Sequence, residues 1–166
     1  MLFSVTINYP YMPENREIKI VSKDNHFMSL ACEARKKSND LLISTGVVAV
    51  KDGKVLGESS NMAGYNWKWL VTQHQKWFCP RRWFKAKTGT KYWLCRGCAT
   101  NNKHAESRLV NSFDKVGKLS ELNGADIYLC GHWWCCKPCW DNMIRAGIKN
   151  IYVLEGAKEK FDSRTW

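Results

Sequence analysis

One histidine and a pair of cysteines constrain the fold of this chain more than any other feature. His104 lies two residues before Glu106, and Cys136 and Cys139 follow about thirty residues later with C-x-x-C spacing. An imidazole and two thiolates are good zinc ligands, and three protein ligands leave the fourth tetrahedral position open for water. The fold must therefore bring these two segments together, with Glu106 placed to move protons without binding the metal.

The hydrophobic pattern predicts a chain of helices and strands that alternate in its later part. Apolar spacing predicts three helices and four strands, the helices over about 24–37, 103–113 and 138–146 and the strands over about 44–50, 54–60, 126–129 and 151–154. Asp52-Gly53 predicts a tight turn between the first two strands. The later alternation favours parallel pairing and a sheet covered by helices. Both groups of proposed zinc ligands then fall at helix N-termini, where the helix dipole favours thiolates.

Length and composition predict a single domain over residues 1–166. The chain has 166 residues, of which 45% are apolar, so it is long enough to bury a substantial core. Within this domain, residues 1–21 are interpreted as an N-terminal extension or hairpin. Residues 61–103 are interpreted as a long insertion loop rich in tryptophan and cysteine. A loop of that length is uncommon in a compact domain unless something organises it.

Cysteine usage and hydropathy bear on where the protein works. No apolar run approaches the ~20 residues of a membrane span, so we expect no membrane association. The first residues lack the basic region of a signal peptide. Eight cysteines without a secretion signal, some of them at C-x-x-C spacing, favour metal binding in a reducing compartment. We therefore expect a cytoplasmic protein, and we interpret Cys32 and Cys130 as core residues.

A net charge of +11 favours a partner that carries phosphate, either a nucleotide or a nucleic acid. Five of the nine tryptophans lie among lysines and arginines within residues 61–103, at Trp67, Trp69, Trp77, Trp83 and Trp93. Aromatic side chains between cations suit single-stranded nucleic acid, whose bases stack while its phosphates pair. They also suit an oligomer interface or a loop that builds its own small core, and this pair of interpretations is preferred.

A second group of cysteines lies within the same segment. Cys79, Cys95 and Cys98 are close in sequence, and His74 is the nearest candidate for a fourth ligand. Four such ligands would form a closed, structural zinc site that pins the long loop. The alternative is three free buried thiols, because one C-x-x-C motif is only half of a site.

In their order and spacing, these elements resemble the cytidine deaminase superfamily, and within it the deoxycytidylate deaminases, over roughly residues 24–154. The resemblance rests on the hairpin 46–53 followed by Asn61, then Cys79-Pro80-Arg81, Gly89, Tyr92, the run 94–97, His104-Ala105-Glu106, Cys136-Lys137-Pro138-Cys139 and Ala146-Gly147-Ile148. It implies an α/β protein with the three-layer α/β/α cytidine-deaminase-like fold and a central mixed sheet. It also implies a homo-oligomer.

The resemblance implies hydrolytic deamination of a deoxycytidine nucleotide, which converts dCMP and water to dUMP and ammonia. His104, Cys136 and Cys139 would hold a catalytic zinc ion, which lowers the pKa of a bound water toward roughly 7. Glu106 would take the proton of that water, and the hydroxide would attack the ring carbon that carries the amine. Glu106 would then deliver protons to the ring nitrogen and to the leaving ammonia.

Candidate substrate contacts follow partly from the resemblance and partly from side-chain chemistry. Asn61 would hydrogen-bond the sugar or the base, and arginines are candidates for the phosphate because a guanidinium makes bidentate contacts. The full set of candidates is Arg35, Ser38, Asn39, Asn61, Arg81, Arg96 and Ala105.

The chain departs from the family pattern at positions around the expected pocket. Cys135 stands where family members often carry proline, the segments 98–103 and 131–134 are lengthened, and Ser107-Arg108-Leu109 replaces the usual Asn-Ala-Ile. Two alternatives therefore stay open: a cytosine deaminase that acts on single-stranded DNA or RNA, and a catalytically silent deaminase fold that binds nucleotides or nucleic acid. The intact Glu106 argues against the silent version.

Overall fold

A five-stranded mixed sheet organises the molecule, which is a computed structural model describing residues 11–86 and 91–161. Residues 1–10, 87–90 and 162–166, and with them Gly89, lie outside the described residues. The strands are β1 (Ile18–Val21), β2 (Gly46–Lys51), β3 (Lys54–Ser60), β4 (Asp126–Cys130) and β5 (Ile151–Leu154), in the spatial order β1-β5-β4-β2-β3. β5 pairs in parallel with β1 and β4, whereas β2 pairs antiparallel with β3 and β4.

The described ranges contain six α-helices: α1 (His26–Arg35), α2 (Lys68–Thr72), α3 (Pro80–Trp83), α4 (Ala105–Lys115), α5 (Lys137–Arg145) and α6 (Ala157–Phe161). The three predicted helices correspond to α1, α4 and α5, and each begins and ends within two residues of the predicted bounds. The four predicted strands are confirmed as β2 to β5. None of the helices in the described ranges is long and apolar enough to cross a membrane.

Helices cover both faces of the sheet, which gives the predicted three-layer α/β/α fold. Neighbouring residues of β2 point to opposite faces, as in any strand. Val48 packs with Met28 of α1 on one face. Val47 packs on the other face with Leu109 of α4 and Trp140 of α5. All five side chains are buried, and burying an aliphatic or methionine side chain of this kind contributes ~1.5–3 kcal/mol.

The turn between β2 and β3 forms as predicted. Asp52 and Gly53 both have left-handed backbone angles, with φ of 51° and 73°. Two successive residues of this kind match the right-handed twist of the flanking strands and define a two-residue hairpin. Asn61 follows the end of β3 and so reaches the edge of the sheet where the functional residues gather.

Two segments differ from the sequence-based expectation. Residues 18–21, at the end of the predicted extension, form β1, which pairs in parallel with β5; among residues 11–17, which the structure also describes, no strand pairs with β1. Four residues with one strongly exposed isoleucine, Ile20, carry too little pattern to predict a strand. Residues 61–103 are not a structureless loop, because they contain α2, α3 and three short helical turns, Gln73–Trp77, Tyr92–Leu94 and Asn101–Lys103.

Cys32 of α1 and Cys130 of β4 form a disulfide across the α1 face of the sheet. Their position in the core is confirmed, since Cys130 is buried with Met28 and Val48 and Cys32 packs against this cluster. Their pairing was not expected, because the two cysteines are 98 residues apart and only the fold brings them together.

Candidate metal centre and cavity

Two helix N-termini position the proposed zinc ligands. His104 is the residue before α4, Cys136 is the residue before α5, and both have extended backbone angles. Cys139 lies in the first turn of α5, where Pro138 suits the start of a helix because its fixed φ is already helical. The two helices pack side by side, so their N-termini bring the three side chains together.

The spacing of the donor atoms fits one metal ion. His104 Nδ1 lies 3.5 Å from Cys136 Sγ and 3.4 Å from Cys139 Sγ, and the two sulfurs are 3.3 Å apart. Zinc–sulfur bonds of about 2.3 Å and zinc–nitrogen bonds of about 2.0–2.1 Å place tetrahedral donors roughly 3.5–3.8 Å from one another. The imidazole and the two thiols therefore form a suitable three-donor set, and His104 and Cys136 face a cavity on their open side.

Electrostatics favours a thiolate in this cluster. The hydrogen bond between the two sulfurs, with a further contribution from His104, lowers the pKa of Cys136 to about 6 in spite of burial. The same sulfur–sulfur bond, together with burial, raises the pKa of Cys139. Burial lowers the pKa of His104, but the hydrogen bond and the charge of Cys136 outweigh it, so the pKa of His104 is raised. A thiolate, not a thiol, is the form that binds metal.

Glu106 lies beside this cluster in the first turn of α4. Its side chain is only 6% exposed and lines the same cavity as His104 and Cys136. The neighbouring thiol of Cys135 is buried; burial, followed by the negative charge of Glu106, raises the pKa of this thiol. Of the adjacent cysteines at 135 and 136, it is thus Cys136 that joins His104 and Cys139.

A cavity of about 430 Å³ opens next to these residues. This volume falls within the roughly 300–1,000 Å³ of typical small-molecule sites. Asn61 and Ala105 contribute to its lining near the sheet, and Trp134 contributes from the segment before α5. Residues 61–103 supply three cationic side chains to the wall, which are Arg81, Arg82 and Lys85.

The charges on the cavity wall are unevenly balanced. The Arg81 guanidinium stacks 4.3 Å from the centre of the Tyr92 ring, and burial raises the pKa of Tyr92 to about 12. Arg82 donates to two backbone carbonyl oxygens of the insertion. Apart from Glu106, the wall carries one carboxylate, Asp40, which already accepts from two backbone amides and from Gln75. The side of the wall that residues 61–103 contribute carries three cations and, among its described residues, no carboxylate.

Asn61 reaches the cavity, but its amide is engaged with the protein. Its Oδ1 accepts from the Ser38 hydroxyl and from the backbone amide of Thr45, each at 2.7 Å. Its Nδ2 donates to the carbonyl of Ile43 at 2.6 Å. This side chain therefore crosslinks the segment before β2 to the end of β3.

Four other predicted substrate contacts do not line the cavity. Arg35 donates to the carbonyl and hydroxyl oxygens of Ser44, and Ser38 donates to Asn61. Asn39 bridges to the backbone of residues 63 and 65. Arg96 is exposed on the insertion. The first three hold the loop that precedes β2, a task that the sequence alone does not distinguish from substrate binding.

Sequence reasoning missed several residues that line the cavity. Arg82 and Lys85 follow Arg81 in and just after the short helix α3, but nothing in their spacing marks them as facing a ligand. His132 and Trp134 also line the cavity, and their rings make an edge contact with centroids 4.9 Å apart. They belong to the lengthened segment before Cys136, so this departure from the family pattern was the available signal.

The second cysteine group also comes together. The donor atoms of His74, Cys79, Cys95 and Cys98 all lie within 4.8 Å of one another. His74 Nε2 is 2.9 Å from Cys95 Sγ and 3.7 Å from Cys98 Sγ, and Cys79 Sγ is 3.5 Å from Cys98 Sγ. Burial, followed by the charge of Arg82, lowers the pKa of His74, which favours the neutral imidazole that metals bind.

A mixed sheet with helices on both faces, and a histidine and two cysteines at adjacent helix N-termini, define a zinc-binding fold of the deaminase class. The chain belongs to the cytidine and deoxycytidylate deaminase family: the family model for the zinc-binding region of these enzymes matches residues 21–155. This membership makes the protein a zinc-dependent hydrolase by class. No protein with a curated function matches the sequence.

Solved structures with a similar fold include two deaminases. The apo dCMP deaminase of the cyanophage S-TIM5 has a TM-score of 0.46 and 19% identity, over 82% of this chain and 87% of that one. A diaminohydroxyphosphoribosylaminopyrimidine deaminase/5-amino-6-(5-phosphoribosylamino)uracil reductase from Thermotoga maritima has a TM-score of 0.43 and 22% identity, over 82% of this chain. This chain spans only 33% of the length of the bifunctional protein.

Proposed function

We propose that this protein deaminates a deoxycytidine nucleotide by zinc-dependent hydrolysis, and that the substrate is dCMP. The observation that carries the proposal is the burial of Glu106 at a cavity shared with the His104–Cys136–Cys139 cluster. A carboxylate in this position has no ion pair among the described residues to explain its burial. A proton-transfer role beside a metal site does explain it.

The three-donor set would hold the metal ion that activates the attacking water. A zinc ion held by His104, Cys136 and Cys139 would supply a water whose pKa is lowered toward about 7. Glu106 accepts a proton from the nucleophile and passes protons to the pyrimidine ring nitrogen and to the departing amine. The carbon–nitrogen bond to the amine breaks, so dCMP and water give dUMP and ammonia.

The cationic wall supports a substrate that carries a phosphate. Arg81, Arg82 and Lys85 line the side of the cavity contributed by the insertion. Guanidinium and ammonium groups bind phosphate through charge-assisted hydrogen bonds, which are about twice as strong as neutral ones. The cavity volume of about 430 Å³ is large enough for one mononucleotide. A cytoplasmic location and assembly into a homo-oligomer belong to the same proposal.

One observation favours a second candidate, a cytosine deaminase that acts on single-stranded nucleic acid. Seven large aromatic side chains of residues 61–103 are exposed in the region that forms the cavity wall, namely Trp67, Trp69, Trp77, Phe78, Trp83, Phe84 and Trp93. Base stacking on such rings is worth ~1–3 kcal/mol per base. This surface would extend a one-nucleotide cavity into a binding track.

A substrate panel separates these candidates. Ammonia release is measured for zinc-loaded protein with dCMP, with deoxycytidine and with a cytosine-containing single-stranded oligonucleotide. We expect the highest kcat/KM for dCMP and a marked loss for deoxycytidine, because deoxycytidine lacks the phosphate. Turnover of the oligonucleotide alone would replace the proposal with the second candidate. Failure of all three substrates with zinc bound would refute both candidates.

A matched pair of variants tests the cationic wall. Lys85→Ala should raise the KM for dCMP roughly three- to tenfold, since a partly exposed charge-assisted contact is worth about 1 kcal/mol. Lys54→Ala removes an exposed lysine at the β2–β3 turn, away from the cavity, and should leave KM unchanged. An equal effect of both variants would show that overall charge, and not the wall, attracts the phosphate.

A further inference from the structure

The described part of the insertion, residues 61–86 and 91–103, lacks a hydrophobic core of its own. The two core clusters of the described residues draw no side chain from it. Between residues 66 and 98, the described residues that are buried are Val71, His74, Gln75, Cys79, Cys95 and Gly97. Its tryptophan and phenylalanine side chains instead face outward, with Trp93 82% exposed and Trp77 78% exposed. Hydrophobic burial therefore does not account for the fold of this segment.

Half of those buried residues belong to one cluster of metal-binding side chains. His74 lies in the helical turn Gln73–Trp77, and Cys79 lies between that turn and α3. Cys95 follows the turn Tyr92–Leu94, and Cys98 is three residues further on. The cluster thus joins the turn Gln73–Trp77, the start of α3 and the segment 95–98.

The surroundings of His74 fit a metal ligand. The ring is buried, its Nε2 faces the thiols of Cys95 and Cys98, and its Nδ1 has no hydrogen-bond partner among the described residues. Thiols are weak hydrogen-bond partners, so this buried ring is poorly satisfied by the protein alone. A metal ion on Nε2 would give the ring the strong interaction that it lacks.

Backbone packing holds the cysteine hairpin against this ring. A Cβ on Gly97 would lie 2.6 Å from two ring atoms of His74, so only glycine allows this approach. The Gly97 carbonyl accepts a hydrogen bond from the amide of Gly64 at 2.9 Å. This hydrogen bond fixes the Cys95–Cys98 turn against the segment around Gly64, with the two thiols directed at His74.

We infer that His74, Cys79, Cys95 and Cys98 bind a second zinc ion, in a structural site separate from the one at His104. Three thiolates and one imidazole fill the tetrahedral coordination of zinc, leave no open position and match the donor set of closed structural sites. Such a metal takes the place of a hydrophobic core, as it does in other small segments that cannot bury enough apolar surface. The inference does not depend on which substrate the enzyme uses.

The second ion also shapes the cavity. His74, Cys79 and Cys98 are themselves among the residues that line it, and Arg81 and Tyr92 lie between these ligands in the chain. Binding the ion would thus fix the wall that carries the cationic side chains. Loss of the ion should raise the KM for a nucleotide more than it lowers kcat.

Counting zinc in the full-length chain tests the inference directly. Purified protein is freed of loosely bound metal and analysed by mass spectrometry for zinc per chain. We expect two zinc ions in the wild type and one in Cys95→Ser and in His74→Ala. His74→Cys should retain two, because it conserves a four-ligand site. Trp93→Ala, a change of an exposed residue in the same segment, is the matched control and should also retain two.

Cobalt substitution identifies which site is lost. Cys95→Ser should remove the intense thiolate-to-cobalt absorption of the three-thiolate site and leave only the weaker absorption from the two thiolates of the His104 site. His104→Ala should leave the three-thiolate absorption in place. A wild-type chain that holds one zinc ion, and whose cobalt form lacks the absorption of a three-thiolate site, would overturn the inference. A native Cys79–Cys98 disulfide in the wild type would also overturn it. Both of these results concern the wild type, so they hold even if a variant does not fold. A zinc count of two without any deaminase activity would refute the proposed function and leave the second site intact.

Discussion

At the scale of single residues, Asn61 shows how a residue at the cavity can act through the scaffold. Its amide makes three hydrogen bonds to the protein, with Ser38, Ile43 and Thr45. The Thr45 residue whose amide it accepts from is buried, so losing this bond is costly. Whatever contact Asn61 makes with a substrate, it also fixes the loop that borders the site.

Asn61→Ala should therefore lower the free energy of unfolding by about 2–3 kcal/mol, because it leaves the Thr45 amide and the Ile43 carbonyl without partners. Ser38→Ala removes only one of the three bonds and should cost about 1 kcal/mol. Urea denaturation of both variants measures the difference. If Asn61→Ala lowered activity without lowering stability, Asn61 would be a substrate contact alone.

At the scale of elements, the side-by-side packing of α4 and α5 builds the proposed catalytic site. Ser107 of α4 is fully buried between them. Its hydroxyl donates to the Cys139 sulfur at 3.5 Å and accepts from the Asn142 amide at 3.0 Å. The residue that departs from the family pattern directly after Glu106 thus links the two helices and holds a proposed ligand.

Ser107→Ala should weaken zinc binding roughly 10- to 100-fold, the usual effect of removing a hydrogen bond to a metal ligand. The fold should persist, since alanine is smaller and favours helix. Competition with a chelator of known affinity measures the change. Ser112→Ala is the control, because Ser112 lies in the same helix but bonds only to the Leu109 carbonyl. Equal zinc affinity in the wild type and Ser107→Ala would show that the hydrogen bond from Ser107 to the Cys139 sulfur does not contribute to zinc binding.

At the scale of the whole molecule, the Cys32–Cys130 disulfide fastens α1 to the sheet. It runs against the sequence-based expectation of a reducing compartment, where disulfides rarely persist. Alkylation of denatured, metal-free protein should label six cysteines before reduction and all eight after it. Replacing both partners with alanine should lower the free energy of unfolding by about 2–4 kcal/mol. Eight labelled cysteines before reduction would show that the pair is free.

Much of this fold could be predicted from the sequence, because its strongest elements have local signals. The helices α1, α4 and α5 have apolar periodicity, and the turn at Asp52-Gly53 has a residue pair that favours left-handed backbone. β1 could not be predicted, since its four residues form a strand only by pairing with β5. The disulfide likewise depends on tertiary contact alone.

The proposed site likewise has a part that the sequence predicts and a part that it does not. The sequence predicts the ligands His104, Cys136 and Cys139, because their short-range spacing is visible in the sequence and both segments lie at helix N-termini. The sequence does not predict the cationic wall, because Arg82 and Lys85 reach the cavity through an insertion whose path depends on tertiary contacts. Arg35 and Asn39 show the reverse case, in which residue types suited to a ligand instead bond to the protein's own backbone.

The most direct test of the account compares dCMP turnover by the wild type and by Glu106→Gln at equal zinc content. Glutamine keeps the shape and burial of Glu106 but cannot accept and return a proton. We predict that Glu106→Gln folds and binds zinc as the wild type does, while ammonia release falls by a factor of at least about 10² to 10⁴. If Glu106→Gln released ammonia from dCMP at a rate close to that of the wild type, Glu106 would not be the proton carrier, and the proposed mechanism would be wrong.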